Sequence, residues 1–140
     1  MKQFRVLFGI LFIAIVSSCN KSSSPQKLLL GTWQVTKTVI TAGIGNYTAD
    51  STVEPETDTF YVFETDGTGR LFTLNYNRSF SYVFNHEIDN IIFTYEDGKS
   101  SSSIVDVLTE DTLIMHSSSS GTITGIAFTG NSQVFCTKVK

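Results

Sequence analysis

Two cysteines, two histidines and one tryptophan are all that this 140-residue chain holds of those three residue types. So small a supply excludes a metal-spaced His and Cys set. No serine stands in a Gly-x-Ser-x-Gly context, and no glycine-rich loop is built to cradle phosphate. The expectation is a protein that is not an enzyme, with no catalytic residue, no metal and no cofactor. His86 and His116 each fall near a strand end and read as half-exposed side chains, although His86 could stand at a barrel mouth. Basic residues are outnumbered, ten against thirteen acidic ones, and they form no cluster. Nucleic acid is therefore excluded as a partner, because neutralising phosphates requires clustered Lys and Arg. Long apolar runs are also lacking. The longest, Val6 to Val16, has one glycine and stops far short of the roughly 20 residues that a spanning helix needs.

That run instead reads as the core of a secretory signal, with Lys2 and Arg5 before it and small residues after it. Val16-Ser17-Ser18-Cys19 resembles the lipobox of bacterial lipoproteins. The resemblance implies cleavage before Cys19 and a diacylglyceryl group on its sulfur, hence a lipid-anchored protein of the bacterial envelope, on the outer membrane. It divides the chain into a signal (1–18), a lipidated tether (19–27) and a folded domain (28–140). The eight residues Asn20 to Lys27 reach at most about 29 Å, so the domain stays near the bilayer. Without residues 1–18, eight basic residues face thirteen acidic ones, a net charge of −5. Cys136 is then left without a partner for a disulfide, and it reads as a small, partly buried strand residue.

Ser24-Pro25 has the form of a helix start, with Ser as N-cap and Pro at the first position. One turn through Gln26, Lys27 and Leu28 would end at Gly31. Beyond it the period is two. Trp33, Val35 and Val39 alternate with polar residues, as do Tyr61 and Phe63, then Phe80, Tyr82 and Phe84, then Ile91, Phe93 and Tyr95. Asp66-Gly67 and Asp97-Gly98 are hairpin signals, with positive φ expected at both central residues, and Asn77-Arg78 is expected to turn as well. Eight strands are predicted, near 32–41, 58–65, 69–76, 79–87, 90–96, 103–109, 112–119 and 133–139. The segments 42–57 and 117–131 are expected as loops, and residues 121–131 within the second as a long hairpin connection or an extra extended piece. No stretch of ten residues shows helical spacing. Eight short sequential strands favour an all-β, antiparallel up-and-down barrel, since closure leaves no exposed edge.

Gly31-Thr32-Trp33, entering the first strand behind a helical turn, resembles the G-x-W signature of lipocalins. Phe63-Glu64-Thr65-Asp66-Gly67-Thr68-Gly69, Tyr82, and Leu108-Thr109-Glu110-Asp111-Thr112-Leu113-Ile114 resemble the small lipocalin-like domains of bacterial lipoproteins. The family implies an eight-stranded barrel whose Trp closes one end, often under a basic residue from the last strand. Lys138 is the residue available for that part. The second lipocalin signature, Thr-Asp-Tyr, is absent. On physical grounds alone, Trp33 can plug a barrel end and Gly31 lets the chain turn into the strand, a structural role for both.

Inward positions are expected at Trp33, Val35, Val39, Val105, Val107 and Leu113, and at eight residues that would line a pocket: Tyr61, Phe63, Phe80, Tyr82, Phe84, Phe93, Tyr95 and Met115. An eight-stranded interior is either just filled by side chains or holds one small ligand, and the aromatic supply suits both. The first function expected is therefore a membrane-anchored monomer that binds a small apolar ligand. The second is a filled barrel presenting its loops to a protein or envelope component. The acidic stretch Asp50, Glu54, Glu56 and Asp58 lacks the spacing of a calcium loop and reads as solvated, and the serine runs 100–103 and 117–120 read as exposed strand ends or loops.

Overall fold

A computed structural model describes residues 24–55 and 58–140. The signal, Cys19 and most of the tether lie outside the described residues. A short helix, α1 (Pro25–Leu29), leads into nine strands: β1 (Gly31–Ile44), β2 (Tyr47–Val53), β3 (Phe60–Phe63), β4 (Thr68–Thr73), β5 (Tyr76–Asn85), β6 (Asn90–Tyr95), β7 (Ser100–Leu108), β8 (Thr112–Ile123) and β9 (Ile126–Lys138). All pairings are antiparallel, in the order β2-β1-β3-β4-β5-β6-β7-β8-β9, and β9 returns to pair with β1, which closes the barrel. The wall has eight strands even though nine segments are counted. β2 and β3 both pair with β1, β3 at Gly31–Gln34 and β2 at Thr38–Ile44, so together they make one interrupted strand.

Much of the first segment expected as a long loop is strand, and the second is extended, as its alternative allowed. β1 and β2 meet in a tight turn after Ile44, and β8 and β9 continue to a turn at Thr124-Gly125. The register Ile44↔Tyr47 and Ile123↔Ile126 carries both hairpins well beyond their predicted ends. The turn expected at Asn77-Arg78 lies earlier, at Leu74-Asn75. At both Asp-Gly turns only the glycine has positive φ (Gly67 +80°, Gly98 +77°). The aspartate instead accepts hydrogen bonds from the chain beyond: Asp66 from Thr68 N at 2.9 Å, Asp97 from Lys99 N at 3.1 Å. These are carboxylate-capped turns, a local chemistry that competes with the two-residue hairpin form.

Two bulges decide which residues face inward. One lies between Val35 and Lys37 in the pairing with β9, the other between Val105 and Val107 in the pairing with β8. Each inserts one residue and so reverses the alternation beyond it. Val35 pairs with buried Cys136, but past the bulge Thr38 pairs with Val134 and Ile40 with Ser132. Val39, expected inside, is thereby turned to the outer face opposite Gln133. Val107 is likewise outside, 37% exposed, and Leu108 takes the inward place opposite Leu113.

The core fills the lower half of the barrel. Leu29, Trp33, Phe63, Ile91 and Leu113 are almost completely excluded from solvent. Around them pack Phe80, Phe84, Phe93, Val105, Met115 and Cys136. Burial at this scale is what stabilises a small domain, at roughly 1.5–3 kcal/mol for each large apolar side chain.

Candidate functional site

The closed end is set by two side chains, Trp33 and Lys138, and by Gly31. Trp33 is fully buried, and its indole N–H donates to Leu29 O at 2.7 Å, so the polar tip of the ring is satisfied by the last residue of α1. Lys138 Nζ donates to Leu28 O at 2.8 Å and stands 4.8 Å from the centre of the Trp33 ring. Carbonyls at a helix C-terminus lack partners within the helix, and here an indole and an ammonium take two of them. Gly31 has φ +114°, and a side chain there would press against the Lys138 stem. Ser24, expected as N-cap, makes no side-chain cap; α1 is held from its other end. His86 lies at this closed end, with Nδ1 3.5 Å from Gln26 Nε2 of α1, and not at a mouth.

The eight candidate lining residues separate into two groups. Phe63, Phe80, Tyr82 and Phe84 belong to the filled lower half. Phe63 meets Tyr82 edge-on at 5.1 Å, and the Tyr82 hydroxyl donates to Glu64 O at 2.8 Å in the β3–β4 turn. Tyr61, Phe93, Tyr95 and Met115 border open space, which begins with a cavity of about 120 Å³. Tyr61 is packed among Phe63, Phe80 and Phe93 at 6.2–6.5 Å between ring centres. Burial pushes its phenol well above the usual tyrosine range, with lesser contributions from Cys136, Tyr95 and Tyr76. Phe80 meets Phe93 at right angles, 5.1 Å apart, and seals the layer below.

Above this floor the wall is serine. Ser101, Ser103, Ser117, Ser132 and Val134 complete the lining of the lower cavity. A larger cavity of about 520 Å³ shares Ser101, Ser117 and Ser132 with it and extends along Ile40, Ser119 and Gly130. The serines are in line with the core, since Ser103 and Ser101 continue the alternation of Val105, and Ser117 and Ser119 that of Met115. The serine runs read as exposed ends thus supply the inner wall of the upper barrel. Period two carried through them was the signal available in the sequence. Ser117 and Ser132 hydrogen-bond across the strands at 2.9 Å, and the Tyr95 hydroxyl lies 3.3 Å from Ser101 Oγ. Arg78 stacks on Tyr95, 3.6 Å from the ring centre, and pairs with Asp97 at 3.3 Å, which fixes the tyrosine at the mouth. The open end therefore carries the Asp97-Gly98 turn, while Asp66-Gly67 belongs to the closed end beside the Gly31↔Phe63 pair.

Outside the cavity, Asp106 at the second bulge binds His116 Nδ1 at 2.8 Å and Gln133 Nε2 at 3.0 Å, which ties β7, β8 and β9 together. No nucleophile joins that cluster among the residues it binds. Asp58 accepts from Gln34 at 2.9 Å, and no group of three metal-ligating side chains forms among the described residues. Cys136 is 2% exposed, with its thiol pushed up to about 12 by burial. It is an inert core residue.

Neither a curated protein nor a solved structure matches the chain. The family model for the lipocalin-like domain matches residues 29–115, from α1 through the middle of β8. With that match over more than half its length, and with a closed eight-stranded barrel, the chain belongs to the lipocalin-like domain family.

Proposed function

We propose that this protein is a lipid-anchored binding protein of the bacterial envelope, and that its ligand sits in the upper half of the barrel. The observation that carries the reading is the division of the interior. Aromatic rings fill the lower half, whereas small inward residues on β7, β8 and β9 leave about 520 Å³ open above it. That volume is within the usual range for small-molecule sites, roughly 300–1,000 Å³. Tyr61, Phe93, Tyr95 and Met115 offer an apolar seat at its base. Where aromatic walls with a few Tyr hydroxyls were expected, the space has an aromatic and Met floor and serine walls.

Orientation supports the anchored reading. The chain enters the barrel through α1 at the closed end, so a lipid on Cys19 would hold that end toward the membrane and turn the open mouth away from it. Five residues, Asn20 to Ser24, separate Cys19 from α1 and reach at most about 18 Å. Native mass spectrometry of the full chain released from membranes tests the binding reading. A small molecule retained by the protein and lost on unfolding is expected. A clean unliganded mass under every extraction condition would instead favour the filled-barrel interaction module.

A further inference from the structure

The cavity lining specifies a ligand chemistry, and the inference rests on the upper barrel being a binding site. Three observations bear on it. Half-buried Tyr61 lines the lower cavity, and no hydrogen bond to its hydroxyl forms among the described residues. A phenol held neutral in that position offers one donor and free acceptor capacity to whatever occupies the space. Next, Ser101, Ser103, Ser117, Ser119 and Ser132 line one connected space. Even the pair that bond to each other, Ser117 and Ser132, keep unused lone pairs, since a hydroxyl has one donor and two acceptor positions. Finally, the linings of both cavities contain no Asp, Glu, Lys or Arg. Besides the phenols of Tyr61 and Tyr95, their one titratable side chain is His116, and it is engaged by Asp106 on the outer face. At the mouth, Arg78 and Lys99 are both already paired with Asp97.

Each class of ligand meets these facts differently. A carboxylate or phosphate would be buried without a counter-charge, which is costly. A bare hydrocarbon would cover the Tyr61 and serine hydroxyls and leave them unpaired, a loss of about tenfold in affinity for each group. A ring with one apolar face and several hydroxyls meets both surfaces, lying flat on the tyrosine floor and bonding outward to the serine wall. We infer that the ligand is a neutral polyhydroxylated ring of the saccharide or glycoside class, seated on Tyr61 and Tyr95 and hydrogen-bonded by Ser101, Ser117 and Ser132.

Isothermal titration of the full chain in a zwitterionic, sugar-free detergent tests this with three kinds of probe: phenyl β-D-glucoside and phenyl β-D-galactoside, toluene, and hexanoate. At least one glycoside is expected to bind, with affinity about tenfold weaker in Tyr61→Phe and in Ser132→Val, and unchanged in Ser120→Val, whose side chain is on the outer face of β8. Binding of toluene or hexanoate in place of the glycosides, undiminished in Tyr61→Phe and Ser132→Val, overturns the ligand class and leaves the cavity reading intact. No binding of any probe by the native protein overturns both.

Discussion

At the scale of single residues, the closed end concentrates the most interactions on the fewest side chains. Lys138 supplies both a hydrogen bond to Leu28 O and a charge against the Trp33 ring. Lys138→Met keeps the stem and removes the ammonium. It is expected to lower stability by about 2–4 kcal/mol, the sum of one charge-assisted hydrogen bond and one partly buried cation–π contact. The midpoint of urea unfolding measures this, and a midpoint equal to that of the native chain would show that Trp33 is held without help from the lysine. Cys136 allows a different check. Burial makes the thiol both inaccessible and hard to ionise, so a thiol-specific reagent at pH 8 should label it only in urea. Rapid labelling of the native protein would mean that β9 opens at its C-terminal end. Gly69 has an equally local reason: a methyl there would overlap the Phe80 ring and the Val62 carbonyl, and the second of these is backbone and cannot move aside.

At the scale of the elements, four aspartates fasten turns and a bulge. The Asp66 carboxyl is held below its ordinary range chiefly by the Thr68 hydroxyl, that of Asp97 by the Lys99 amide, and that of Asp111 by Thr109 and then Thr112. For Asp106, partial burial works in the opposite direction, but the bonds from His116 and Gln133 and the His116 charge outweigh it. In all four the folded pKa is depressed, so the folded state binds these protons less tightly than the unfolded chain. Their stabilisation is complete above an unfolded aspartate pKa of about 3.9 and is lost as the pH falls through the folded values. Urea midpoints should therefore be higher at pH 6 than at pH 3, and Asp106→Asn should narrow the difference. Equal midpoints at the two pH values would remove these carboxylates from the account of stability. The bulges also explain why Val39 and Val107 defeat simple alternation. Period two holds on each side of Thr36 and Asp106, but one inserted residue reverses every side chain beyond it, and neither Thr nor Asp announces an insertion.

For the whole molecule, the barrel has a sealed end and an open one, and the chain's entry point ties the sealed end to the proposed anchor. Cys19→Ala is expected to shift the protein from the membrane pellet to the soluble fraction, or to leave the signal uncleaved. Two lipid chains hold a protein at a bilayer stably, with roughly 0.8 kcal/mol contributed by each buried methylene. If the variant is still processed and pellets with the membranes as the native chain does, the lipid anchor is refuted. The same polarity decides where a ligand enters. Strand ends carrying Asp97, Gly98 and the serine hairpins form the mouth, while those carrying Asp66, Asp111 and α1 form the floor.

Local pattern was enough to identify an all-β barrel, the helical turn before Gly31, and Trp33 as the residue that closes an end. Each follows from nearest-neighbour physics: alternation of apolar residues, a glycine free of the Cβ constraint, and a large ring that must be buried. Which aromatic residues fill the interior and which leave space above them was settled only on closure. That outcome depends on register between strands far apart in sequence, on two bulges, and on the small serines of β7, β8 and β9 falling on the same inner wall. A serine run looks alike in a loop or on a barrel's inner face, because its hydroxyls are at home in water and in a polar cavity alike. Alternation carried on from Val105 and Met115 points to the inner face, and the partner across the sheet, Ser132 opposite Ser117, establishes it.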